Sequence, residues 1–160
     1  MFELKNISAT DKPTLYAELA QQAQGLLHGE RDLIANAANL SALLYHSLPD
    51  VNWVGFYFLK DGKLVVGPFQ GKPACVRIAL GKGVCGKAAQ QRASIVVPDV
   101  NQFPGHIFCD GASLSEIAVP LIKSRKILGV LDIDSPRLSR FDEEDRVGLE
   151  KLAETFLDAV

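Results

Sequence analysis

Apolar positions recur at helical spacing in the first third of the chain and at strand spacing through most of the rest. Leu15, Leu19, Ala23 and Leu26 lie three or four residues apart behind the N-cap candidates Thr10-Asp11-Lys12-Pro13. That spacing predicts a helix over about Lys12–Leu27, following a loose lead-in at residues 1–10. Leu33, Ala37, Leu40 and Leu44 form a second stripe after His28-Gly29, and Pro49-Asp50 marks its end.

From Asn52 the pattern becomes aromatic and β-branched. Trp53–Leu59 and Lys63–Phe69 flank Asp61-Gly62, a hairpin turn signal. Cys75–Leu80 reads as a further strand, Gly81–Gly86 as a glycine-rich loop, Lys87–Arg92 as a short helix and Ser94–Val97 as a short strand. A loop of 16 residues, Pro98–Ser113, carries His106 and Cys109; loops this long are usually functional or mobile. Glu116–Ile122 and Ile127–Asp134 then pair about the polar turn Lys123–Lys126, and a helix from Asp142 to Val160 closes the chain with acids in its first turn. Strand pairs between helices at both ends predict an α+β fold: one domain over residues 1–160, with a central antiparallel sheet that the N-terminal helices and the C-terminal helix pack against.

Composition narrows the function classes. The chain has 160 residues, 48% hydrophobic and 22% charged, with a net charge of −2. This suits one soluble domain with a real core, and the scattered Lys and Arg give no footprint for nucleic acid. No signal peptide and no apolar run near the ~18 residues of a membrane span is visible, so a cytoplasmic protein is expected. In a reducing compartment, three cysteines point to inert thiols, a metal site or transient redox work.

The last strand pair concentrates acids. Leu128, Val130, Asp132 and Asp134 alternate onto one face and Ile127, Gly129, Leu131 and Ile133 onto the other. Side chains two apart on a strand lie roughly 6.5–7 Å apart, close enough for both carboxylates to contact one small cation. Glu116 joins them only if the connecting loop has an odd length: a two-residue turn over Ser124-Arg125 sends it to the far face. Three clustered acids suit a primary ammonium group and raise the proton affinity of at least one member.

Cys75, beside Val76 and Ile78, looks like a buried core thiol, whereas Cys109 lies in a polar loop where His106 could favour thiolate. The glycines around Cys85 suggest a flexible backbone that lets thiols approach one another. Zinc on Cys75, Cys85, His106 and Cys109 is disfavoured, because no Cys-x-x-Cys pair occurs. Gly81–Lys87 satisfies G-x-x-x-x-G-K, but Ala88 removes the hydroxyl a P-loop needs for magnesium, and the hairpins supply no parallel core.

Asn52–Tyr57, Gly67–Lys72, Gly81–Gly86, His106–Asp110 and Gly129–Ser135 together closely resemble the free methionine-(R)-sulfoxide reductases, which are GAF-fold enzymes. The resemblance spans roughly Thr10 to Phe156, and its specificity lies in all three cysteines occurring with the acidic strand. It implies reduction of free methionine (R)-sulfoxide with thioredoxin as reductant, in a homodimer and with no cofactor or metal. By position, Cys109 is the implied nucleophile and Cys75 and Cys85 the recycling thiols. Glu116, Asp132 and Asp134 are the implied substrate-binding acids, and Trp53 and Tyr57 the aromatic walls.

The residues give this chemistry a rationale. A thiolate attacking sulfoxide sulfur needs the oxygen protonated, which Glu116 or Asp134 could do. The expected product is a sulfenic acid on Cys109, converted to a disulfide by Cys75 as the favoured partner, with Cys85 as alternative or relay. Tyr57 shares Trp53's face only if their strand is unbulged. The competing expectation is a stand-alone GAF domain that senses a small molecule.

Overall fold

The computed structural model describes residues 2–160. Residues 2–9 form neither helix nor strand, and Lys5 exchanges hydrogen bonds with Gln22 through its main-chain N–H and carbonyl. Helix α1 (Lys12–Leu27) starts at Asp11, whose side chain accepts from the Thr14 N–H, and α2 (Leu33–Ser47) at Asp32, which accepts from Ala35. Six strands follow: β1 (Trp53–Lys60), β2 (Lys63–Gly71), β3 (Arg77–Ala79), β4 (Ile95–Val97), β5 (Ser115–Lys123) and β6 (Lys126–Ser135). Helix α3 (Gly83–Gln91) intervenes before β4, and α4 (Glu143–Ala159) closes the chain.

The strands form one antiparallel sheet in the order β3-β2-β1-β6-β5-β4. On one face α1, α2 and α4 enclose the larger core, with Val54, Phe56, Ile117, Leu131 and Ile133 from the strands meeting Leu40, Leu149 and Phe156. Asp145, fully buried in α4, receives hydrogen bonds from Tyr16 (2.8 Å), Lys12 (2.6 Å) and Arg140 (3.1 Å), which ties α1 to α4. A buried carboxylate is tolerable only when satisfied in this way.

The opposite face carries a smaller core in which Val84, Cys85 and Ala88 of α3 pack against Tyr57, Ala118 and Val130. Three local expectations change here. The strand expected over Cys75–Leu80 contracts to Arg77–Ala79, because Val76 is exposed and Cys75 is bonded across to the Pro98–Ser113 loop. The glycine-rich segment is not a flexible loop, since α3 begins at Gly83 and holds Cys85 in its first turn. A Cβ at Gly86 would run into the Ala79 carbonyl, so this glycine serves a close approach of helix to strand.

The third change is in register. Ser124 and Arg125, both at positive φ, make a two-residue turn that pairs Lys123 with Lys126. That turn alone would put Glu116 opposite Ile133. Leu128 forms a bulge: Ile122 pairs with Ile127, but Leu121 pairs with Gly129, and Glu116 ends opposite Asp134. The bulge also inverts the strand's first residues, so Leu128 packs with the larger core and Ile127 with the smaller.

Candidate active site

A narrow pocket opens between the sheet, the first turn of α3 and two loops, the one after β2 and the one ahead of β5. The sheet contributes Trp53 and Tyr57 from β1, Glu116 from β5 and Asp132 and Asp134 from β6; Cys85 comes from α3 and His106 and Cys109 from the long loop. β1 pairs with β6 without interruption from Trp53 to Phe58, and the bulge on its other side belongs to β2, so Trp53 and Tyr57 face the same way. Their rings stack at 5.9 Å, and Trp53 also stacks on Phe69 at 5.2 Å. The Trp53 indole N–H donates to the Lys72 carbonyl (3.1 Å) and the Tyr57 hydroxyl to the Cys75 carbonyl (3.1 Å), so the aromatic wall supports the segment carrying Cys75.

Cys75 and Cys109 form a disulfide across 34 residues, with Cα atoms 5.7 Å apart. Cys75 is thus half-buried and bonded, not a core thiol, while Cys109 is exposed. Cys85 is the free cysteine, buried, with its Sγ 3.9 Å from Glu116 Oε1. Burial, and then the charges of Asp132 and Glu116, push its thiol well above the ordinary range, which makes it a neutral group.

The three acids converge as β5 and β6 pair. Burial raises the proton affinity of Glu116, with Asp134 adding to it, and of Asp132, with Glu116 adding to it; Asp134 is raised by burial, then Asp132 and Asp110. Asp132 Oδ1 is buried without a hydrogen-bond partner, and oxygens of Glu116 and Asp132 lie with Cys85 Sγ within 4.8 Å of one another. No lysine or arginine neutralises these three among the described residues. Acids held together without a counter-cation are either partly protonated or matched by a cationic ligand.

His106 does not serve Cys109 as the loop spacing suggested. Its Nε2 lies 2.9 Å from Glu116 Oε2, and burial lowers its proton affinity. Sequence reasoning also missed Asp110, which binds the Ala112 N–H, Asn52 and Lys72 and is held below the usual carboxylate range chiefly by that N–H. Asn52 also donates to Ser113 (3.1 Å), fastening the end of the long loop to the start of β1. The run Cys109-Asp110-Gly111-Ala112 was the available signal, because an Asp that caps an N–H two residues on is a common loop device.

Three helices on one face of an antiparallel sheet, with α3 and a narrow pocket on the other, suit a GAF domain, and the model of that family matches residues 40–160. The free methionine-R-sulfoxide reductase of Escherichia coli K12 is 51% identical, covering 89% of this chain and 86% of its own. The structure of the Neisseria meningitidis free methionine-R-sulfoxide reductase in complex with its substrate superposes with a TM-score of 0.95 at 42% identity, covering 99% and 95% of the two chains. A putative GAF sensor protein from Burkholderia vietnamiensis is 61% identical, with a TM-score of 0.91 over 94% and 96%. The chain belongs to the GAF-domain family of free methionine-R-sulfoxide reductases. No helix among the described residues is long and apolar enough to cross a membrane.

Proposed function

We propose that the chain reduces free methionine (R)-sulfoxide to methionine with Cys109 as nucleophile and Cys75 as the resolving thiol. The observation that carries this reading is the Cys75–Cys109 disulfide at the mouth of a pocket floored by Glu116, Asp132 and Asp134. Cys109 thiolate attacks the sulfoxide sulfur, and a protonated Glu116 or Asp134 supplies the proton that the oxygen needs. The oxygen ends on Cys109 as a sulfenic acid while the substrate leaves as the thioether. Cys75 then condenses with it, releasing water and closing the disulfide.

Reduction of that disulfide by an external dithiol, thioredoxin, completes the cycle in the cytoplasm. Cys85, buried in the first turn of α3 and lining the same pocket as Cys109, is the alternative or relay thiol. The acids select a free amino acid because its α-ammonium supplies the cation they lack, whereas a peptide-bound residue offers a neutral amide. Trp53 and Tyr57 wall the methyl-sulfur end. The active assembly is taken as a homodimer.

The likeness to a protein described as a putative GAF sensor supports a second reading, a small-molecule sensor. A thiol count on the reduced protein, before and after free methionine (R)-sulfoxide is added without reductant, decides between them. An enzyme loses two thiols per site and releases methionine; a sensor loses none.

A further inference from the structure

We propose that His106 is a positioning residue for the Glu116 proton: it donates its Nε2–H to Oε2 and so confines the acidic hydrogen to Oε1, on the Cys85 side of the pocket. The assignment rests on the reductase reading for its consequence in turnover, but its geometry is independent of any substrate. Both oxygens of Glu116 are engaged, by different partners: Oε2 by His106 Nε2 at 2.9 Å and Oε1 by Cys85 Sγ at 3.9 Å. Both side chains of the His106–Glu116 pair are almost fully enclosed, at 6% and 7% exposure.

The other ring nitrogen fixes the tautomer. His106 Nδ1 is buried and has no partner. An imidazolium would carry a second N–H there with nothing to accept it, and so would the neutral tautomer with its hydrogen on Nδ1. A buried N–H left unpaired costs more than a buried lone pair. The form that strands only a lone pair is the neutral ring with hydrogen on Nε2, and that ring must donate to Glu116. Protonated or ionised, a carboxyl oxygen can accept this N–H, so the contact excludes Oε2 as the seat of a proton, and one that Glu116 carries falls on Oε1.

Among the groups facing Glu116 from β6, the charge of Asp134 raises its proton affinity, while hydrogen bonding with Asp132 lowers it and raises that of Asp132; Cys85 on α3 is a neutral thiol and Tyr57 on β1 a neutral phenol. A neutral imidazole orients the acid without ionising it, whereas a cation at the same place would draw its proton away. His106 also lies three residues before Cys109 on the same loop, so the nucleophile's loop and the acid's orientation are mechanically joined.

The test compares His106→Ala, which removes the donor, with His106→Gln, whose amide N–H replaces it. Glu116→Gln identifies the carbonyl stretch of the protonated acid in the infrared spectrum of the resting, substrate-free enzyme. The expected result is that His106→Ala moves that band and lowers kcat by roughly ten- to hundredfold with a much smaller change in KM, whereas His106→Gln leaves the band in place and keeps kcat within a few-fold. Equal kcat losses in both variants, or a band unmoved in His106→Ala, would overturn the proposal. Should the wild type fail to reduce methionine sulfoxide at all, the reductase reading falls, and the infrared comparison alone still decides the role of His106.

Discussion

Glu116 stands directly across the β5–β6 ladder from Asp134, in a register the two-residue turn between those strands does not give. The extra residue, Leu128, supplies the missing step. The two carboxyls are consequently coupled: after burial, the charge of Asp134 is what raises the proton affinity of Glu116.

Asp134→Asn should therefore lower the Glu116 pKa. If protonated Glu116 is the acid, the alkaline limb of kcat/KM then moves to lower pH. The variant also loses a charged contact to the substrate ammonium, worth about 1.5–3 kcal/mol, or roughly ten- to hundredfold in kcat/KM. A pH–rate profile measured with the free amino acid reads both effects. An alkaline limb unmoved or displaced upward would assign the proton to another group.

The same acids make the pocket a liability to the fold. Their folded pKa values lie above the unfolded ones, so their contribution to stability is full below the ordinary carboxylate pKa and is lost as pH rises through the folded values. Asp132, with an unpartnered Oδ1, has the least compensation. Asp132→Asn should stabilise the reduced protein at pH 7–8 by about 1–3 kcal/mol, a rise of a few degrees in Tm, while weakening substrate binding. Below about pH 4 the two proteins should converge. Thermal melts across that range check the sign, and a destabilised variant at pH 8 would contradict it.

Local chemistry was legible in the sequence and tertiary coincidence was not. Asp61-Gly62 announced its hairpin because both positions need positive φ and these residues tolerate it. Ser124-Arg125 adopts the same kind of turn without the residues that advertise one, and Leu128 is an apolar residue in an apolar run, so nothing marked the bulge. The face shared by Asp132 and Asp134 followed from alternation alone. Glu116 hung on the register, and His106 met Glu116, not Cys109, because the loop folds back over β5. The glycines around Cys85 suggest a flexible backbone, yet Gly86 is a packing requirement: composition cannot separate the two.

The thiols have separable fates after one turnover. Cys109→Ser should keep the fold and abolish both methionine release and thiol loss, since a loop thiol replaced by hydroxyl alters reactivity far more than packing. Cys75→Ser should release one equivalent of methionine and leave a sulfenic acid on Cys109. Cys85→Ser should still form the disulfide. Mass spectrometry of peptides from each single variant checks this, and a disulfide that persists without Cys75 would move the resolving role to Cys85.

The aromatic wall depends on a residue with no side chain. Trp53, Gly55 and Tyr57 alternate onto one face of β1, and the Trp53 ring lies over Gly55: a Cβ there would sit 2.6 Å from the indole and collide with Phe69. Gly55→Ala forces the indole off its stacked position between Tyr57 and Phe69, and through the Trp53–Lys72 hydrogen bond it disturbs the segment leading to Cys75. Overpacking of this kind costs about 1–3 kcal/mol. The expected outcome is a Tm lower by several degrees, a changed near-ultraviolet circular dichroism signal from Trp53, the chain's one tryptophan, and a raised KM with slower disulfide closure in single-turnover experiments. An unchanged KM beside an altered Trp53 signal would remove that ring from the substrate's surroundings.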